Sequence, residues 1–274
     1  MLADLQGDLL PALDAFVEAT RLTAREKATK PIRDKLEKAM AKAFRAQGAA
    51  LLKGLKQYRK RFPVEESMGA KDWAIVFGQA SEETLELFSA PMLAAVRQAL
   101  KVGGDQFVAS MGVDEFTFSV ANPGAVRYIE EVGGARIRGI NDETQKVIQG
   151  ILNNGARDGW SYDHVAREIK NRFEEFAIGK PQEHIDSRAH LVAVTEIGEA
   201  YEEASFLAAE DLNGAGVSME KAWQTLGDTK VSAGCRGNEA DGWIPMDQPH
   251  SSGHQHPLRF PGCRCGEKYR RKRG

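Results

Sequence analysis

The chain has 274 residues, enough for one large or two modest domains, and the composition of an ordinary soluble protein. Its formal net charge of −2 argues by itself against a polyanion partner, yet residues 21–61 carry 14 Lys/Arg against 3 Asp/Glu while residues 62–266 carry 18 against 31. No apolar run approaches the roughly 18–20 residues of a spanning helix, and a start marked by Asp4 and Asp8 lacks the basic region of a signal peptide. A soluble protein with no cleaved signal and no membrane partner is expected.

Residues 2–23 read as an amphipathic helix or helix pair interrupted at Pro11. Pro31 fits the first turn of a second helix, where its missing N–H costs nothing. Behind it Ile32, Leu36, Met40, Phe44, Gly48, Leu51 and Leu55 recur at three- and four-residue spacing and make one apolar stripe. The other faces carry Arg33, Lys35, Lys38, Lys42, Arg45 and Lys53. A bundle partner within the chain is the first candidate to cover the stripe, and another protein the second. Pro63 with Glu65, Glu66 and Ser67 ends this basic helical arm, residues 1–62.

Residues 63–115 form a helical connecting region. Ser81-Glu82-Glu83-Thr84 resembles a helix start, with Leu85, Leu87, Phe88, Met92, Leu93, Val96 and Leu100 as the apolar set and Gly103-Gly104 as the stop. Residues 113–120 alternate weakly around Phe116 and Phe118 and read as extended. A helical platform over 122–212 follows. Asn122 with Pro123, then Asn141 or Asp142, then Ser161, then Ile185-Asp186-Ser187 mark four helix starts, and Ile140, Ile148, Ile151, Trp160, Ile169, Leu191 and Val192 are the expected buried set. After Gly214-Ala215-Gly216 the composition changes. Residues 221–226 read as a strand entering a small β and Cys-rich end over 220–265, with a basic tail over 266–274. The fold class is therefore α+β, predominantly α-helical, with a small β/loop C-terminal subdomain.

All three cysteines and His250, His254 and His256 fall in that end, which makes the clustering local chemistry. Zinc held by Cys235, Cys263, Cys265 and a histidine, His256 in the first instance, suits thiolate and imidazole donors and would order a loop-rich end. Against it, Cys-x-Cys chelates less well than Cys-x-x-Cys. A disulfide from Cys235 to Cys263 or Cys265, or three buried reduced thiols, are the alternatives. Glu196 lies in a helical apolar pattern beside Thr195, and nothing completes a catalytic constellation around it; a bond to the backbone or to an arginine such as Arg264 is the structural reading. In a two-residue alternation Cys263 and Cys265 point one way and leave Arg264 to meet Glu196 or Asp228. Trp160 and Trp223 read as core residues. The six basic side chains of the arm could neutralise DNA phosphates without sequence preference, and no helix-turn-helix or RNA-binding motif accompanies them.

The order Ala193-Val194-Thr195-Glu196, Trp223-Gln224-Thr225, Asp228-Thr229-Lys230-Val231, Cys235 and Phe260-Pro261-Gly262-Cys263-Arg264-Cys265, with residues 122–125, 139–144 and 159–161, resembles the phage head-morphogenesis family of minor head proteins, typified by phage Mu protein F. The likeness runs from about Phe116 to Cys265, within a domain over 116–274 that has 122–212 as platform. It departs at Ser232, where the family has the first cysteine of a Cys-x-x-Cys pair, and at Phe260, where the family usually has histidine. The resemblance implies a non-enzymatic virion component, assembled in a bacterial cytoplasm and placed in the capsid interior near the portal. Its implied partners are the portal protein and the major capsid or scaffolding protein, with a possible contact to packaged DNA. Thr195, Glu196, Trp223, Asp228 and Arg264 are then structural. A toxin-like or ADP-ribosyltransferase-like enzyme and a nonspecific DNA-binding module are the rival readings, and the few basic residues after Cys265 leave no room for an appended toxin domain.

Overall fold

The computed structural model describes residues 2–61, 70–113, 115–178 and 187–272. It is mostly helical, with one small antiparallel sheet at the C-terminal end. In chain order the elements are α1 (Leu2–Arg61), α2 (Ala70–Met111), α3 (Pro123–Glu131), a π-helical turn (Val132–Arg136), α4 (Ile137–Asp158), α5 (Tyr162–Ile178), α6 (Arg188–Gly214), β1 (Met219–Gln224), α7 (Ala233–Ala240), β2 (Ile244–Pro245) and β3 (Gly266–Arg271). Two compact units interleave along the chain: residues 1–32, 98–120 and 197–274 form the first, and residues 33–97 and 121–196 the second. The segments 1–62, 63–115 and 116–274 read from the sequence do not follow that division. The helix-ending residues Pro63, Glu65, Glu66 and Ser67, and the helix-start residues Ile185 and Asp186, lie outside the described residues.

Both prolines of α1 lie inside one helix, so the expected break at Pro11 and start at Pro31 are absent. An interior proline costs about 3 kcal/mol. Against that stand Leu36, Met40, Phe44, Leu51 and Leu55, all buried, each worth about 1.5–3 kcal/mol of burial. The stripe is covered within the second unit: the Phe44 ring meets Phe88 of α2 edge-on at 5.2 Å and Phe176 of α5 at 5.5 Å. Gly48 completes it, because a Cβ there would run into the Phe173 ring.

Helix α2 starts before Ser81 and passes through Gly103-Gly104 to Met111, contrary to both sequence expectations. The two glycines serve close approach instead. A Cβ on Gly103 would strike the backbone carbonyl of Tyr201 on α6, and one on Gly104 would strike the ring of Phe118. Phe88, Met92, Val96 and Leu100 are buried as expected, whereas Leu85 and Leu87 face outward. Phe118 is buried on a stretch that forms no strand.

The platform keeps three of its four starts. Asn122 Oδ1 accepts from Gly124 N at 2.7 Å with Pro123 at the first position, Ser161 Oγ accepts from His164 N at 3.2 Å, and Ser187 Oγ accepts from His190 N at 3.0 Å. The fourth fails. Gly133-Gly134 widen the chain into a π turn and α4 begins at Ile137, so Asn141 and Asp142 sit inside a helix. There Asn141 Oδ1 accepts from the buried Gln47 amide at 2.8 Å, a side-chain partner that displaces its capping role. Ile148, Ile151, Ile169 and Val192 are buried, while Ile140, Trp160 and Leu191 are half-buried. Trp160 stacks on His164 with centroids 4.4 Å apart.

The sheet has order β2-β1-β3, both pairs antiparallel, with Trp223 opposite Glu267 and Lys221 opposite Tyr269. The expected strand at 221–226 is thus real but begins at Met219. Residues 266–271, read as the start of a basic tail, form its edge strand. Cross-strand partners explain this: Arg270 bonds Glu220 at 2.9 Å and sits 4.2 Å from the centre of the Trp243 ring, while Tyr269 packs edge-on against Phe107 at 5.4 Å.

Candidate metal centre

Three sulfurs meet in the C-terminal subdomain. Cys235 stands in the first turn of α7, which starts where Ser232 Oγ accepts from Cys235 N at 3.2 Å. Cys263 and Cys265 arrive on the loop before β3, turned by Gly262 at φ +79° and by the Cys263 N to Phe260 O bond at 3.0 Å. Pairing of β3 with β1 then fixes the loop against Trp223. The three Sγ atoms lie within 4.8 Å of one another, with Cys235 and Cys263 at 3.9 Å, and Trp223, Val231 and Leu258 enclose them. All three cysteines are free thiols and buried.

Their protons are unequally held. A hydrogen bond from the Cys265 thiol, followed by backbone amides of Arg259 and Cys265, draws Cys263 well below the usual thiol range against the penalty of burial. Cys265, as the donor in that pair and buried beside it, is pushed up. A thiolate is the form that binds metal, so a centre that favours one sulfur anion before any ion arrives is suited to a soft d10 cation. The three cysteines could hold a metal such as zinc, whose closed structural sites take four donors.

The expected fourth donor is elsewhere. His256 Nε2 is 2.9 Å from Glu203 and its Nδ1 is 2.5 Å from Pro257 O, which uses both ring nitrogens. Burial disfavours its charge, but the bonds to Glu203 and Pro257 O outweigh that and raise its pKa. His250 is fully enclosed between Glu267 at 3.0 Å and Asp241 at 3.6 Å, and His254 bonds Ser252. Among the described residues no histidine joins the cysteine group.

Polar side chains hold the edge strand. Arg25 donates to Cys265 O at 2.8 Å, Glu202 accepts from Glu267 N at 3.0 Å, and the two side chains pair at 2.9 Å. Together they offer the start of β3 the donor and acceptor that a further strand would supply. Lys221, without exposed surface, gives Nζ to Gln255 O and Oε1, both at 2.7 Å, and lies 4.9 Å from the Phe206 ring centre. Burial pushes the Lys221 ammonium down and the Glu267 carboxyl up. Composition points to none of these partners. The available signal was an acid, Glu202, inside the apolar run of α6, since a buried charge must be paired.

The remaining sequence candidates separate cleanly. Thr195 Oγ1 donates to Leu191 O at 2.7 Å, and Glu196 pairs with Arg136 at 3.0 Å where Arg264 had been considered. Arg264 meets Asp228 at 2.8 Å, the other acid foreseen for it. In the basic arm Lys35, Lys38 and Lys42 are exposed, Arg33 is half-buried, Lys53 lies 3.8 Å from Glu83, and Arg45 forks onto Glu174 at 2.6 and 2.9 Å. No described helix is long and apolar enough to cross a membrane. No family model, curated protein or solved structure matches the chain.

Proposed function

We propose that the chain is a minor structural head protein of a tailed phage or prophage particle, acting in capsid assembly at the portal. One observation supports this best: Trp223, Cys235, Cys263 and Cys265, which carry much of the resemblance, fall in one enclosed cluster although up to 42 positions separate them. A scattered placement would have removed the reason for reading them as one signature. In this reading the cysteines fasten the C-terminal end through a structural zinc ion, and the partners are the portal and the major capsid or scaffolding protein. The chain carries no catalytic role; Glu196, the acid considered for one, is neutralised by Arg136.

The decisive experiment is copurification from particles, followed by mass spectrometry of intact heads. The protein should appear at low copy with the portal protein and stay with it after the capsid shell is removed. Its absence from particles that contain portal would end the reading. A contact with packaged DNA draws on a separate observation, the exposed Lys35, Lys38 and Lys42 at three- and four-residue spacing on α1. Reversing these three charges should weaken binding to all DNA sequences alike and flatten its salt dependence. Salt-insensitive binding, or none by a folded preparation, would assign the charges to protein partners.

A further inference from the structure

Beside the cysteine centre the half-buried Arg259 guanidinium has the Phe260 ring at 5.8 Å. Arg259 Nη1 donates to Ser232 Oγ at 3.0 Å, and its Nε is buried without a hydrogen-bond partner. No carboxylate lies within ion-pair distance of it among the described residues. The guanidinium lies directly on Gly234, where a Cβ would collide with it. Gly234 is the second residue of α7, so a cation has been packed against the positive end of a helix dipole, where an anion is the favourable neighbour. Both features are favoured by negative charge nearby, which sulfur anions at the centre would supply. Cys235 stands one residue further along the same turn.

A dication bound by three sulfurs with loss of their three protons leaves a centre with a single net negative charge. We propose that Arg259 and the α7 N-terminus are the electrostatic counterpart of such a tri-thiolate zinc centre. The proposal rests on the zinc reading above and is independent of the virion assignment. It accounts for an arginine standing where its charge opposes the helix dipole. Ser232 Oγ links the two halves: it caps α7 through Cys235 N and accepts from Arg259, so it touches both the ligand-bearing turn and the counter-charge. When bound, zinc would supply a fixed crosslink among α7 and the loop before β3.

The test uses the full chain, purified reduced and metal-free, titrated with Zn²⁺ against a chelating dye, with Cd²⁺ absorption reporting thiolate bonds. The wild-type protein should take up one ion per chain with three thiolate bonds and three thiols protected from alkylation. R259M should bind on the order of 10–100-fold more weakly, the usual loss when an outer-shell partner is removed, while R259K, which keeps the charge, should stay within a few-fold of wild type. R259K also guards against simple misfolding of R259M, and circular dichroism of each variant checks it. No zinc uptake by folded, reduced wild-type chain overturns the zinc reading together with this proposal. Equal affinity of R259M and wild type overturns the counter-charge alone.

Discussion

The two compact units are stabilised in different ways. In the unit of residues 33–97 and 121–196, aromatic and aliphatic side chains do most of the holding: Phe44, Phe88, Phe173 and Phe176 pack as a chain of edge-to-face and tilted rings. In the unit of residues 1–32, 98–120 and 197–274, the C-terminal end encloses Lys221, His250, Glu202 and Glu267 in its interior and stabilises them by explicit pairing. An apolar core tolerates approximate shape. A buried polar network does not, because a single lost partner leaves an uncompensated charge or donor. The apolar unit should therefore fail gradually under mutation, and the unit with the polar network should fail at particular atoms.

The largest effect is expected from Phe44→Ala. The side chain is fully buried against α2 and α5, so its loss should cost about 3–5 kcal/mol. Urea denaturation measures it, and a loss under about 1 kcal/mol would show that the ring chain is not the core of that unit. Next comes Glu202→Gln. Removing the charge from the Arg25 and Glu267 N–H clamp should cost about 1.5–3 kcal/mol, the range of hydrogen bonds to charged groups. Faster amide exchange at Glu267 is its local signature; unchanged protection there would mean that β3 is held by β1 alone.

These two sites differ as much in legibility as in chemistry. Phe44 stands in a stripe of seven residues at helical spacing, so its burial follows from periodicity, and all seven are buried. Capping residue types gave the helix starts at Asn122, Ser161 and Ser187. Such reading failed wherever a tertiary contact overrode a local signal. Gly103-Gly104 look like a stop but admit α6, Asn141 looks like a cap but faces Gln47, and Pro31 looks like a start but is carried by the burial around it. The site was half legible. Clustered cysteines announced a centre, whereas His256 was assigned to it from proximity in sequence alone, and Glu203 holds that ring. The strand in residues 266–271 escaped notice because its basic residues suggested solvent, while Trp243 and Glu220 give Arg270 a place in the fold.

Gly103→Ala separates local from tertiary preference. Helix propensity alone favours alanine by about 1 kcal/mol, yet the new Cβ meets backbone rather than a movable side chain. Overpacking of this kind costs about 1–3 kcal/mol, so the variant should be less stable, and Gly78→Ala, open on all sides, should be more stable. Stabilisation at both positions would show that α2 and α6 can separate without penalty.

The polar unit should also respond to pH. The folded pKa of His256 is raised, with burial opposing and Glu203 driving the shift, above an unfolded value of about 6.5. Its contribution is therefore full below that unfolded value and is lost as pH rises through the higher folded one. Stability measured from about pH 5 to 9 should fall with this step in the wild type. His256→Gln should remove the step. A step that persists in the variant would assign it to another group.

The smallest effect is expected at Arg45 and Glu174, although the two side chains meet in a two-pronged geometry. The guanidinium forks onto both carboxylate oxygens, which raises Arg45 and lowers Glu174, yet both side chains are nearly half exposed. Water and salt screen such a pair, and ordering two long side chains offsets much of the attraction, so Glu174→Ala should cost no more than about 1 kcal/mol. The cost should shrink as salt is added. The same variant releases Arg45 beside Lys38 and Lys42 on α1. If that face meets DNA, binding should strengthen while stability falls slightly, a pairing of opposite signs that a purely structural role for Arg45 would not produce.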